Sequence, residues 1–136
     1  HFMDQACNRF LKELPQCIVL GSGLDSRAYR IERPHGFERW LEVDAPNMIS
    51  LKKSILDTSG VDAKATTFVP VVFGKQSWLE RAEECGYNPK HGTLFIIEGV
   101  INYLDIAAVK ETLTMIASVA PGSILAMTCL TLDAEG

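Results

Sequence analysis

A chain of 136 residues is the size of one domain and leaves no room for a second complete one. Its 47% hydrophobic and 22% charged residues are an ordinary globular mixture, which excludes disorder. Thirteen Lys and Arg against 17 Asp and Glu leave a net charge of −4, so no overall positive field exists to make nucleic acid a primary partner.

In residues 2–14, Phe2, Met3, Ala6, Cys7, Phe10 and Leu14 recur at helical spacing, and Pro15 ends the run. Residues 16–20, QCIVL, then read as a short buried strand. Gly21, Ser22 and Gly23 make a tight turn, and Asp25 and Ser26 open a brief helix that closes before Pro34 and Gly36. A second strand over 39–43 ends in Asp44. Pro46 suits the first turn of a helix that turns Met48, Ile49, Leu51, Ile55 and Leu56 inward and fades at Gly60.

Residues 66–73, TTFVPVVF, are β-branched and aromatic, but Pro70 cannot donate to a central ladder, which predicts an edge strand. A helix over 77–85 stops at Gly86, and 93–97, TLFII, form a buried strand closed by Glu98 and Gly99. Asp105 caps a helix whose Ile106, Val109, Leu113, Ile116 and Ala120 share one face until Pro121 and Gly122 end it. Residues 123–130 form a fifth strand. Strands alternating with helices predict an α/β fold, a doubly wound and mostly parallel sheet with helices on both faces.

In such a sheet a ligand sits beyond the carboxyl ends of the strands, where strand order reverses. The strand ends here carry Gly21-Ser22-Gly23, Asp44 and Glu98-Gly99. A glycine turn followed 21 residues beyond Gly23 by an acid that can accept from a ribose diol points to a nucleoside cofactor. Each feature alone has a plainer reading, the glycines as a tight connection and Asp44 as the cap of the helix at Pro46. Ser26 stands where a dinucleotide fingerprint has its third glycine, which counts against a nicotinamide oxidoreductase.

Four segments, VLGSGLDSRAYRI at 19–31, LEVDAP at 41–46, VPVVFGKQSW at 69–78 and IEGVINYL at 97–104, together resemble the leucine carboxyl methyltransferase family of S-adenosylmethionine-dependent O-methyltransferases. The resemblance runs through nearly the whole chain. It implies a Rossmann-like class I methyltransferase fold with strand order 3-2-1-4-5, and residues 1–136 as one S-adenosylmethionine-binding domain. It also implies that Gly21 and Gly23 lie against the methionine part of the cofactor, with Ser22 between them. Asp44 would bind the ribose hydroxyls, and Glu98, followed by Gly99, would face the ammonium group. A carboxylate there compensates positive charge in a partly desolvated cleft, whereas the plainer reading makes Glu98 a helix N-terminal acid.

Two departures stand out. Where the family commonly has an acid against the adenine amino group this chain has Val72, followed by Phe73, so an apolar wall remains without that hydrogen bond. The family's Arg upstream of the first helix, which grips the cofactor carboxylate, has no counterpart after His1. Arg27 and Arg30 are candidates to replace it, or else form ion pairs with Glu42, Asp25 or Asp44.

The resemblance implies a methyl acceptor, either a small molecule or a protein C-terminal carboxylate, and no catalytic acid or base is recognisable. The rival from another class is a non-catalytic, methyltransferase-like remnant acting as a scaffold or interaction domain. Trp40 and Trp78 are expected to pack helices on the sheet, Tyr103 to line the acceptor side or the core, and Cys17 and Cys129 to be core residues. Cys7, Cys17, Cys85 and Cys129 form no CxxC pair and no metal spacing, which predicts reduced thiols and no metal. No apolar run approaches the roughly 18 residues of a membrane span, and the start, HFMDQACNRF, has no secretion-signal pattern, so a cytoplasmic protein without membrane contact is expected. A complete class I sheet has two further strands, which the six residues after Leu130 are too few to form. The expectation is therefore a fragment, truncated at both ends, that is marginally stable or self-associates through an open sheet edge.

Overall fold

The computed structural model describes residues 1–130. It has helix α1 (Phe2–Phe10), strand β1 (Gln16–Leu20), helix α2 (Arg27–Arg30), strand β2 (Arg39–Asp44) and helix α3 (Pro46–Thr58). These are followed by β3 (Thr67–Pro70), α4 (Trp78–Glu84), β4 (Thr93–Ile97), α5 (Ile106–Ala117) and β5 (Ile124–Met127). Single 3-10 turns at Ala63–Ala65 and Ile101–Tyr103 were not expected from the sequence. All pairings are parallel and the order is β3-β2-β1-β4-β5, as the family resemblance implied.

β1 and β4 are apolar at almost every position because they are buried on both faces, which is why they read as continuous runs and not as alternation. One face carries Cys17, Val19, Trp40, Leu94 and Ile96, covered by Met3, Ala6 and Cys7 of α1. The opposite face carries Ile18, Leu20, Leu41, Val43, Phe95 and Ile97, covered by Trp78 and Ala82 of α4. Both tryptophans pack as expected, Trp78 edge-on to Phe95 at 6.0 Å between ring centres.

β3 is an edge strand and ends at Pro70, not at residue 73. Its register sets Pro70 beside Asp44, and the last ladder bond comes from the Val71 N–H to the Asp44 carbonyl at 2.9 Å. β5 stops at Met127 instead of 130, and among the described residues it pairs with β4 alone. Cys129 therefore lies beyond the strand and is exposed, while Cys17 is in the core as expected. The expected lack of room for further strands concerns residues 131–136, outside the described residues.

Several helix faces also differ from the periodicity. α3 buries Ile49, Lys52 and Leu56, whereas Leu51 and Ile55 are exposed. The cause is polar: a lysine on the inner stripe meets a glutamate on the sheet, and the apolar 51/55 row turns outward. Phe2 and Ile106, each at the first position of its helix, are exposed, and Thr112 is the one buried residue of α5.

Candidate cofactor site

The backbone leaves β1 through Gly21, whose φ of +68° is left-handed, and its N–H donates to the Val43 carbonyl at 2.8 Å. Ser22 N–H turns to the same oxygen at 3.3 Å, so the chain folds over the end of β2. A Cβ on Gly21 would stand 2.3 Å from Val100 Cγ2, so both conformation and space require glycine here. Gly23 N–H then donates to Asp44 Oδ2 at 2.7 Å, while Asp44 Oδ1 accepts from Ala45 N–H at 2.7 Å. The N-terminus of α3 has no side-chain cap, so Asp44 ties the glycine turn to β2 and does not cap the helix.

Over the ends of β1 and β4 lies a cleft of about 350 Å³ walled by Gly21, Ser22, Asp25, Arg27, Arg30 and Glu98, among others. Arg27 is its hub. The side chain is buried, and its Nε donates to Asp4 at 2.8 Å, Nη1 to Asp25 at 2.6 Å and Nη2 to Glu98 at 2.7 Å. Burial opposes the charge on Arg27, but hydrogen bonds to Asp4 and Glu98 outweigh it and hold the guanidinium above its ordinary value. Arg30 donates to Asp4 at 2.7 Å, and the hydrogen bonds from Arg30 and Arg27 hold the Asp4 carboxyl well below the usual carboxylate range. Glu98 remains half exposed, so the cleft presents both signs of charge. Ser22 walls the cleft, but its hydroxyl is buried on the side of Glu42.

The sequence profile of the leucine carboxyl methyltransferase family matches residues 1–117. The chain belongs to the leucine carboxyl methyltransferase family. It is 34% identical over 111 residues to a candidate S-adenosyl-L-methionine-dependent methyltransferase of Frankia alni, an alignment covering 81% of this chain and 39% of the relative. A protein of the same description from Mycolicibacterium gilvum is 34% identical over 115 residues, covering 84% of this chain and 38% of the relative. The chain thus spans about two fifths of the relatives it matches. Among solved structures, a candidate O-methyltransferase of Nostoc punctiforme superposes with a TM-score of 0.63 at 13% identity, over 93% of this chain and 34% of that one, and so shares the fold.

In this leucine carboxyl methyltransferase family chain, Gly21, Ser22 and Glu98 wall the cleft, and Gly23 and Asp44 adjoin it through their mutual hydrogen bond. Gly99 follows Glu98 with φ +71°, its N–H donating to Thr128 Oγ1 at 3.0 Å. Val72 is 40% exposed beyond the end of β3, and Phe73 turns away to pack beside Trp78 and Met115. Tyr103 is 88% exposed, which removes it from the core. Arg27 and Arg30 form ion pairs, as one of the two sequence readings had it, but of the expected partners only Asp25 is used, joined by Asp4 and Glu98.

Glu42 pairs instead with Lys52, at 2.5 Å, a contact the sequence reading missed. The signal was present: a glutamate inside the apolar run Trp40-Leu41-Glu42-Val43 needs a buried cation. Burial pushes the Glu42 carboxyl up to about 7, and the hydrogen bond from Lys52 only partly offsets this.

Proposed function

We propose that this chain is the S-adenosyl-L-methionine-binding part of an O-methyltransferase acting on a carboxylate or a small-molecule hydroxyl. The observation that carries the reading is the mixed-charge cleft over the ends of β1 and β4, where the order β3-β2-β1-β4-β5 reverses direction. Its residues suit an amino-acid moiety with both charges: the half-exposed Glu98 for an ammonium, and Arg30 for a carboxylate. Gly21, which has no space for a Cβ, lets the ligand approach the backbone, and Gly23 is held for it by Asp44. Each Asp44 oxygen accepts one backbone N–H and keeps a further lone pair for a ribose diol. Val72, with Phe73 behind it, would stand at the adenine end, and Gly99 behind the ammonium site.

When bound, the cofactor supplies an electrophilic methyl carbon, and transfer to oxygen is an in-line displacement governed by alignment and exclusion of water. A carboxylate acceptor, with an ordinary pKa of about 4, is already ionised at neutral pH and needs no base. The acceptor would be a small molecule or a protein C-terminal carboxylate, and β5, which among the described residues pairs with β4 alone, offers a route to self-association.

The test is calorimetric titration with S-adenosylhomocysteine, its 2′-deoxy analogue and NAD. The wild-type chain should bind the first, prefer it to the deoxy analogue, and ignore NAD. Asp44→Ala should weaken S-adenosylhomocysteine by about 1.5–3 kcal/mol, the value of a hydrogen bond to a charged group, and abolish the preference for the diol. A preference that survives in Asp44→Ala would mean that Asp44 serves only the glycine turn. The scaffold reading is favoured by one feature, the apolar Val72 at the adenine end, and wild-type protein that binds none of the three ligands would overturn the cofactor reading.

A further inference from the structure

Beneath the cleft, between the sheet and α3, Glu42 is wholly buried and Lys52 is 3% exposed. Lys52 Nζ donates to Glu42 Oε2 at 2.5 Å and, at 2.6 Å, to the main-chain carbonyl of Asp25. That second bond leaves the core and ends in the loop that walls the cleft. Asp25 N–H donates to the Ser22 carbonyl at 2.8 Å, and its carboxylate accepts the Arg27 N–H at 2.8 Å and Arg27 Nη1 at 2.6 Å. Arg27 in turn reaches Glu98 across the cleft. An unbroken series of bonds therefore runs from β2 through Lys52 to the two charged walls. A buried ion pair by itself is weak support for a fold, because apolar residues of similar volume commonly do as well. What an apolar pair cannot do is hold the Asp25 carbonyl.

We propose that Lys52, held by Glu42, is a positioning residue that fixes the Ser22–Arg27 loop so that Arg27 and Glu98 stand ready for the ligand. The ligand half of this statement rests on the cofactor reading above; the ordering of the loop does not. Lys52 does not wall the cleft, so its effect is transmitted through the Asp25 main chain.

The experiment compares the wild-type chain with Lys52→Met and with the double variant Glu42→Leu, Lys52→Met, which leaves no orphaned buried charge if the single variant fails to fold. Amide hydrogen exchange is followed without ligand, and S-adenosylhomocysteine affinity by calorimetry. In the double variant, amides of residues 22–27 should exchange at least tenfold faster while those of β4 and α4 keep wild-type rates. Affinity should fall at least tenfold with unfolding stability near wild type. Wild-type protection of 22–27 in the double variant overturns the proposal, and so does a loosened loop with unchanged affinity. If the wild-type chain binds no S-adenosylhomocysteine the cofactor reading falls, and the exchange rates alone then decide whether Lys52 orders the loop.

Discussion

Replacing Gly21 by Ala puts a methyl group at the point of the glycine turn with least room for it. The residue has φ +68°, and leaving an L-residue in that left-handed region costs about 1–2 kcal/mol. The new Cβ would also lie 2.3 Å from Val100 Cγ2, 3.2 Å from Cγ1 and 3.3 Å from Cβ, an overpacking worth about 1–3 kcal/mol more. Gly23 is the internal control, since at φ +48° it bears the first cost but an added methyl there would meet nothing within 4 Å. Gly21→Ala should therefore destabilise by about 2–5 kcal/mol and Gly23→Ala by about 1–2 kcal/mol. Val100→Ala removes the two γ-carbons, so the pair Gly21→Ala, Val100→Ala should show a favourable coupling of about 1–3 kcal/mol. Urea unfolding followed by the fluorescence of the buried Trp40 and Trp78 gives all four stabilities. Equal costs at Gly21 and Gly23, or strict additivity with Val100→Ala, would refute the packing argument and leave only backbone strain.

Val72→Asp should fold normally, because Val72 is 40% exposed, and should tighten S-adenosylhomocysteine binding by restoring an acceptor for the adenine amino group; unchanged affinity by calorimetry would place adenine elsewhere. Arg27→Met should cost about 3 kcal/mol in urea unfolding, since it leaves the largely buried Asp25 carboxylate without its cation, while Asp4 keeps Arg30 and Glu98 is half exposed, and Arg27→Lys should recover only part because an ammonium has no fork to span three carboxylates. A fully stable Arg27→Met would show the hub to be dispensable for folding. Glu42 has a folded value of about 7 against 4.5 ordinarily, so between these limits the folded chain holds a proton that the unfolded chain has released. Its contribution should thus be best below pH 4.5 and decline by about 3 kcal/mol as pH rises to 7. Subtracting the pH profile of Glu42→Gln isolates this slope, and identical profiles would sink it.

What the sequence determined by itself was whatever is encoded locally. Runs such as QCIVL and TLFII announce buried parallel strands, Pro70 announces the edge, and the glycines of 21–23 announce a turn whose backbone only glycine adopts freely. The position of Asp44 at the end of β2 was legible for the same reason, although its hold on the Gly23 N–H was not. Tertiary structure decided which polar groups meet. Arg27 joins Asp4 and Glu98, 23 and 71 residues away, because α1, α2 and β4 converge at one end of the sheet, and neither separation leaves a periodic trace. The rotation of α3 was likewise decided by Glu42, which draws Lys52 inward and turns Leu51 and Ile55 to solvent against their apolar character. Periodicity weighs side chains one at a time by hydrophobicity, whereas a buried carboxylate imposes the demand for a partner on whichever element lies across from it, and that element is known only once the chain has folded.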